Sequence, residues 1–328
     1  MIISNVDITG LCSMAKMVQA ETGISNPFLT PEWILSWWEV FGGDYSSYIK
    51  VGIQDTKPVA IAPLKISGDT ATFLGSTDIC DYQDFIAING KEEEFFTLLL
   101  DDVKKEKIRR LHLRHLRPDS LAITELAPVA CALKHRATVK QETVSLEMPL
   151  PSTFSAYLDT LDKKNRHEIR RKMRRLLEAN RVKFYYTGDN YSRYSYSPEY
   201  MQDFLRLFFL NQIEKAAFMT PLMQQFFNKI WEQAGPSGVL RFGCLEVDGE
   251  RVAMVLLFDC NNSIFLYNNA YNFSHANLSV GLLSKVLAIE KAINIGRCKW
   301  DFLKGDEKYK RWLGGTSINL YSLEIELS

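Results

Sequence analysis

The sequence predicts an α/β (α+β) protein of two tandem units, each a mixed, mostly antiparallel sheet flanked by helices. At 328 residues the chain is too long for one typical domain and suits two of moderate size. With 46% apolar and 24% charged residues it can bury a large core. Each half also runs through one order of signals: strand, tight turn, strand, turn, strand, loop, helix, strand. That order repeats in pattern, although the letters do not repeat.

In the first half an irregular opening precedes a helix near 10–20. "NPFLTPEWILSWWEVFGG" then marks a helix with Thr30 as N-cap, Pro31 at the first position and Gly42–Gly43 as the stop. Trp33, Trp37 and Phe41 share one face of it, an aromatic stripe suited to anchoring the helix on a sheet, the alternative being an exposed ligand platform. Strands follow at "YIKVGIQ", "VAIAPLKI", "TATFLG" and "DFIAI", with turns at Asp55–Pro58 and Gly68–Asp69. The helix "KEEEFFTLLLDDVKKE" and the strand "IRRLHLRHL" complete this half. His112 and His115 have no carboxylate or cysteine neighbour in sequence to make a metal site. The proline-flanked segment 148–155, with Pro149 and Pro151, is the expected boundary, giving domains 1–150 and 151–328.

Helices are expected at 153–161, 165–180, 198–214 and 220–234, with "TGDNYSRYSYS" (187–197) as a surface loop. The strand "GVLRFGCLEV", a turn at Asp248–Gly249, "RVAMVLLFDC", a turn at Asn261–Asn262 and "SIFLYNNAY" follow. The helix "NLSVGLLSKVLAIEKAINIG" and the strand "CKWDF" restore the pattern of the first half.

The formal net charge is zero, but 1–150 carries −5 and 151–328 carries +5. The positive excess lies entirely in "KKNRHEIRRKMRR" (163–175), eight Lys or Arg against Glu168 alone. Leu161, Ile169, Met173 and Leu176 fall on one stripe of this segment, interrupted by Asn165, so an amphipathic helix is expected to pack as well as display charge. A DNA-binding protein spreads basic charge more widely, and no recognition-helix or zinc motif is present. The remaining readings are a solvated basic face, or a helix whose Arg166 and Arg170 border the cleft between the domains and meet an anionic group of a ligand. Six isolated cysteines (12, 80, 131, 244, 260, 298) read as buried free thiols in a reducing, cytoplasmic setting. The N-terminus lacks a signal-peptide pattern, and the longest apolar run, 252–258, is too short to span a bilayer.

Two stretches carry candidate chemistry. A strand ending in Asn268 and Asn269 delivers its terminus beside a helix beginning around Asn277 to Ser279, where Ser279 and Gly281 allow close approach to backbone N–H groups. That is either an anion site or an ordinary capped helix. In "WDFLKGDEKYKRWLGG" (300–315), Asp301 or Glu307 could accept a proton, and Lys304 or Lys310 could neutralise an oxyanion or phosphate. An ion-pair network pinning the last helix is the alternative.

The pieces "NPFLTPEWILSWWEVFG", "VAIAPLKI", "FLGSTDICDYQDFI", "LDKKNRHEIRRKMRRL", "VGLLSKVLAIEKAINIG" and "WDFLKGDEKYKRWLGG" resemble, in order and over nearly the whole chain, the CelD-like acetyltransferases of the GNAT superfamily. These are similar in layout to the Fem-type aminoacyltransferases. The resemblance implies two tandem GNAT-like domains, of which the C-terminal one usually keeps the acyl-CoA cleft. The family's pyrophosphate loop would fall on "HANLSVG", where only Gly281 and the small Ser279 survive. Acetyl-CoA or another acyl-CoA would then lie against Leu256, Phe258, Asn268, Asn269, Asn277, Ser279, Val280 and Gly281, with strand 251–260 splayed from its neighbour to hold the pantetheine arm. Asp301, Glu307, Tyr309 and Lys310 would stand at the acceptor side, and Arg166, Arg170, Tyr271, Lys304 and Trp312 would contact substrate. No metal is implied. The expected reaction is direct attack of an amine or hydroxyl of a sugar or envelope or exopolysaccharide precursor on a thioester, without a covalent enzyme intermediate. The alternatives are a Fem-like transfer from aminoacyl-tRNA, held by the basic helix, and a degenerate tandem-GNAT protein that binds without catalysis.

Overall fold

In the computed structural model, residues 1–23, 26–179, 181–188, 196–210 and 217–328 are described. Most of the loop expected at 187–197, and the end of the helix expected at 198–214, lie outside them. The chain forms two compact units, Met1–Val144 with Ile318–Ser328, and Ser145–Ser317. The second unit thus begins a few residues before the expected boundary, and the last residues of the chain belong to the first unit.

The first unit builds a sheet from β1 (Ile2–Val6), β2 (Ser46–Gln54), β3 (Lys57–Ser67), β4 (Thr70–Phe73), β6 (Arg110–Leu116), β7 (Arg136–Pro149) and β13 (Thr316–Glu326). Its order is β1-β2-β3-β4-β6-β13-β7, with the two-residue β5 (Ile86–Ala87) beside β3. β4 and β6 run parallel, whereas β1–β2, β2–β3, β3–β4 and β6–β13 are antiparallel. The β2–β3 hairpin turns on Asp55 and Thr56, both at positive φ (48° and 67°), which matches the twist of the flanking strands.

Helices α1 (Ile8–Thr22), α2 (Pro31–Phe41), α3 (Glu92–Lys105) and α4 (Ala127–Ala132) accompany this sheet. Thr30 accepts from the Trp33 N–H and Pro31 opens α2, while Trp33 and Trp37 are buried, as the aromatic stripe requires. α3 places Phe95, Phe96, Leu99, Leu100 and Val103 on one buried face. Acidic Glu92–Glu94 at its start and Lys104–Lys105 at its end complement the helix dipole.

The second unit builds its sheet from the end of β7 with β12 (Lys299–Lys304), β11 (Ser263–Tyr271), β10 (Glu250–Cys260), β9 (Leu240–Val247) and β8 (Val182–Tyr186), in that order. β11 and β12 are parallel and the other neighbours antiparallel. Its helices are α5 (Phe154–Thr160), α6 (Lys163–Ala179), α7 (Pro198–Phe209), α8 (Pro221–Ala234), α9 (Val280–Asn294) and α10 (Lys308–Trp312). α9 is the crossover that a parallel β11–β12 pair demands.

Helices cover both faces of this second sheet. Phe242 on β9 meets Phe204 of α7 and Trp231 of α8. The next residue, Gly243, lies beside Tyr186, whose hydroxyl donates to Ala288 O in α9. Successive strand residues point to opposite faces, so α7 and α8 lie on one side and α9 on the other. A Cβ at Gly243 would stand 2.7 Å from Val255 and 2.9 Å from Phe184, too close for any side chain.

Among the described residues no helix is long and apolar enough to cross a membrane, and no group of three or more His, Cys, Asp or Glu could hold a metal ion. His115 is buried with its Nδ1 2.9 Å from the Cys80 carbonyl oxygen.

Candidate functional site

The carboxyl end of β11 and the start of α9 bring several of the expected site residues together. The parallel ladder joins only Ser263, Ile264 and Phe265 of β11 to Lys299, Trp300 and Asp301 of β12. Beyond Phe265 the two strands part, while β11 remains paired to β10 as far as Tyr271. The splaying expected of strand 251–260 is therefore corrected. β10 is paired on both sides, Leu256 to Asn268 and Phe242, and Phe258 to Phe265 and Leu240. Leu256 and Phe258 are fully buried core residues whose main chain belongs to the ladder. The strand that opens is β11, because the α9 crossover brings β12 back alongside it for only three residues.

α9 is preceded by a short 3-10 turn (Phe273–Leu278) and by Ser279 in the left-handed conformation, φ 59°. Asn277 is exposed on that turn, and Val280 is fully buried. Lys172 of α6 donates to the Ser279 hydroxyl at 2.8 Å and lies 3.3 Å from Glu168. The basic helix thus delivers an ammonium to the end of α9 where backbone N–H groups and the helix dipole favour negative charge. Gly281 lies against Tyr271. A Cβ there would fall 2.7 Å from the Tyr271 ring, so the missing side chain lets Tyr271 pack against the first turn of α9.

Lys285, one turn further along α9, is buried, and its Nζ donates to Asn269 Oδ1 at 3.0 Å and to Gly281 O at 2.6 Å. The same ammonium stands 5.0 Å from the centre of the Tyr309 ring. Lys285 therefore joins the β11–α9 residues to the 300–315 segment. Asn268 turns its Oδ1 back to accept from the Asn269 N–H.

The 300–315 segment is organised around a bulge at Leu303, held at φ 62°, where β12 shifts register against β7. A non-glycine residue in that region carries strain, and two charged side chains hold it. Asp301 is fully buried, accepts from the Leu303 N–H at 2.8 Å and lies 3.5 Å from Lys299 Nζ. Lys310 is 2% exposed; its ammonium donates to the carbonyls of Leu303 (3.2 Å), Lys304 (2.6 Å) and Gly305 (3.2 Å) and pairs with Glu307 at 2.9 Å. Glu307 is the exposed carboxylate of the group, with 56% of its side-chain surface accessible. Burial, aided by the Glu307 charge, pushes the Tyr309 hydroxyl well above the usual phenol range, so it is a hydrogen-bond donor at neutral pH. Lys304 and Trp312 are half-buried, and the Trp312 carbonyl accepts from Asn165 Nδ2 of α6 at 3.3 Å.

Asn165 thus interrupts the apolar stripe of α6 in order to bind α10, while Ile169 and Leu176 are buried. Arg166 pairs with Asp159 at 3.0 Å. Arg170 borders an apolar groove of about 460 Å³ lined by Phe154, Leu158, Met173 and Leu177. The expected site residues therefore fall into two sets, one at the β11–α9 junction and one at the Leu303 bulge, bridged by Lys285 and Tyr309. Arg166 and Arg170 have other neighbours.

Lys172 and Lys285 were not singled out from sequence. Lys285 had a signal, being the one charged residue between Leu278 and Ile289. Lys172 was one of eight cations with nothing local to distinguish it.

Residues 163–311 match the family described as acetyltransferase (GNAT) domain. No curated protein matches the chain. Among solved structures, FemX is similar over 98% of this chain and 97% of its own, with a TM-score of 0.67 at 11% identity. A conserved protein of unknown function from Bacteroides thetaiotaomicron is similar over 99% of both chains, with a TM-score of 0.63 at 13% identity. A tandem GNAT protein from the clavulanic acid biosynthesis pathway, solved without AcCoA, is similar over 98% of this chain and 97% of its own, with a TM-score of 0.52 at 10% identity. These likenesses show the fold, a mixed and mainly antiparallel α/β architecture shared with Fem-type and tandem GNAT proteins.

Proposed function

We propose that the chain is a GNAT-type acyltransferase of two tandem GNAT-like domains, and that its second unit transfers an acyl group from acetyl-CoA or another acyl-CoA to an amine or hydroxyl. The acceptor is a small molecule, in our reading a sugar or an envelope or exopolysaccharide precursor, and the setting is the cytoplasm. The observation that carries this reading is the opening of β11 from β12 beside the start of α9, inside the matched segment 163–311. The unpaired stretch of β11 offers backbone groups to a pantetheine arm, and Lys172 with the first turn of α9 offers charge to its phosphates. The acceptor nitrogen or oxygen attacks the thioester carbon, the new C–N or C–O bond replaces the C–S bond, and CoA leaves as the thiol. Glu307, the exposed carboxylate, takes the acceptor's proton, while Asp301 and Lys310 fix the turn that presents it.

A second reading, transfer from aminoacyl-tRNA, draws on the likeness to FemX and on the basic surface of α6. Calorimetric titration with acetyl-CoA and longer acyl-CoAs separates the two. Saturable binding is expected, weakened about tenfold by Lys172→Glu with only a small fall in melting temperature, since that change also removes the Lys172 bonds to Ser279 and Glu168. Absence of binding to every acyl-CoA, together with tight tRNA binding that falls steeply with salt, would replace the first reading with the second.

A further inference from the structure

Lys65, on β3 of the first unit, is 7% exposed. Its ammonium donates to the Gly75 carbonyl and lies 4.5 Å from the centre of the Trp37 ring and 4.8 Å from that of Tyr45. Among the described residues no carboxylate pairs with it, whereas Lys50, the other buried lysine of this unit, lies 2.7 Å from Asp102. An ammonium has three N–H donors, and the Gly75 carbonyl accepts from only one of them. Burial pushes the Lys65 amine down to about 8, with no carboxylate close enough to raise it again. Buried charge is costly unless paired, so an anion beside Lys65 would offset a cost the fold carries.

Lys65 and Gly75 border a cavity of about 240 Å³, a space suited to a ligand smaller than drug-sized. Strand register brings the rest of its lining together. Lys65 is the cross-strand partner of Thr72 on β4. β4 runs parallel to β6 with Thr70 beside Arg110, so Thr72 and His112, two residues further along each strand, return to the same face. The other face of these strands carries Leu64, Ala71, Leu111 and Leu113 into the core with α3. Thr72, Ser76, His112 and Arg114 all line the cavity, and none of its lining residues is acidic. Arg114 is committed to Glu142 of β7 and to Thr77, so that pair adds little net charge. Thr72 and Ser76 are half-buried and His112 is exposed; among the described residues their side chains make no hydrogen bond. Lys65 thus supplies positive charge and the two hydroxyls supply directed donors, a combination that recognises a compact oxyanion.

We propose that this cavity binds a small molecule through one oxyanionic group, a phosphate ester or a carboxylate, held by the Lys65 ammonium with the Thr72 and Ser76 hydroxyls. The proposal does not rest on the transfer reaction above: every lining residue belongs to the first unit, and the site stands whether or not the second unit is catalytic.

The full chain at low salt is titrated calorimetrically with inorganic phosphate, glycerol 3-phosphate and glycerate, with glycerol as the uncharged control. Saturable binding of at least one anionic probe is expected, and the preference between phosphate and carboxylate identifies the group recognised. Lys65→Met keeps an apolar stem against the Trp37 and Tyr45 rings and removes the charge, so affinity is expected to fall about tenfold. That change also leaves the Gly75 carbonyl without its donor, so Thr72→Val serves as the milder variant, expected to weaken binding about threefold. No saturable binding of any anionic probe at millimolar concentration, glycerol binding as tightly as the anions, or affinity unchanged in Lys65→Met would each overturn the proposal. Should Lys65→Met not fold, unchanged affinity in Thr72→Val overturns it instead.

Discussion

At the scale of single residues, Lys310 combines features usually seen separately: a charge buried almost completely and a full set of partners. Its three carbonyl acceptors span the bulge and the glycine turn, with Leu303 at φ 62° and Gly305 at φ 109°. Buried charge is tolerated only when it is paired and hydrogen-bonded, and here the pairing also stabilises a left-handed leucine. Lys310→Met keeps the aliphatic stem but strands those carbonyls and the Glu307 carboxylate. We expect urea unfolding of that variant to show a loss of roughly 2–4 kcal/mol. A loss within about 0.5 kcal/mol, as for an ordinary surface site, would mean that the bulge holds itself and that Lys310 is free for chemistry.

At the scale of elements, α6 separates what holds the fold from what faces solvent. Ile169 and Leu176 are buried, and Asn165 and Lys172 tie the helix to the Trp312 carbonyl and to Ser279. Arg166 bonds across a partly exposed pair with Asp159, an arrangement worth little. Ile169→Ala is therefore expected to cost about 2–4 kcal/mol, while Arg166→Ala with Arg170→Ala stays within about 0.5 kcal/mol. If the basic face meets an anionic substrate, the double arginine variant also raises KM with the melting temperature unchanged. Unaltered kinetics would leave α6 as scaffold.

The same element shows what sequence could reveal. Its apolar stripe was legible because helical periodicity is local, as were the cap of α2 and the hairpin turns at Asp55, Asp248 and Asn261. β7 and β13 were not. β7 carries charged or polar side chains on much of its length and buries few of them, so it lacks a clean two-residue alternation. β13 buries Leu320, then Leu323 and Ile325, an odd step caused by the register shift between Tyr321 and Leu323. At the candidate site, the junction of an apolar strand with a glycine-bearing helix start was visible, whereas Lys172 reaches it only by tertiary packing.

At the scale of the whole molecule, zero net charge conceals one group with a large effect on how stability varies with pH. Asp84 is lifted to about 7 by burial, against the ordinary aspartate value of 3.8, although its carboxylate accepts from the N–H groups of Phe85, Leu121 and Ala122. A folded-state value above the unfolded one means that the native chain binds the proton more tightly. The corresponding stability is fully present below the unfolded value and is lost as pH rises through about 7. This is opposite to the usual behaviour of salt-bridged carboxylates such as Glu142, which Arg114 and the His115 N–H hold low. Asp84→Asn removes the titration while retaining one acceptor for the Leu121 and Ala122 amides. Between pH 5 and pH 8 the wild-type chain is expected to lose about 2 kcal/mol relative to this variant, read as a converging or crossing pair of melting curves. Parallel curves across that range would show that the three backbone N–H donors, rather than burial, dominate at Asp84, and that its carboxylate is ionised wherever the protein is folded.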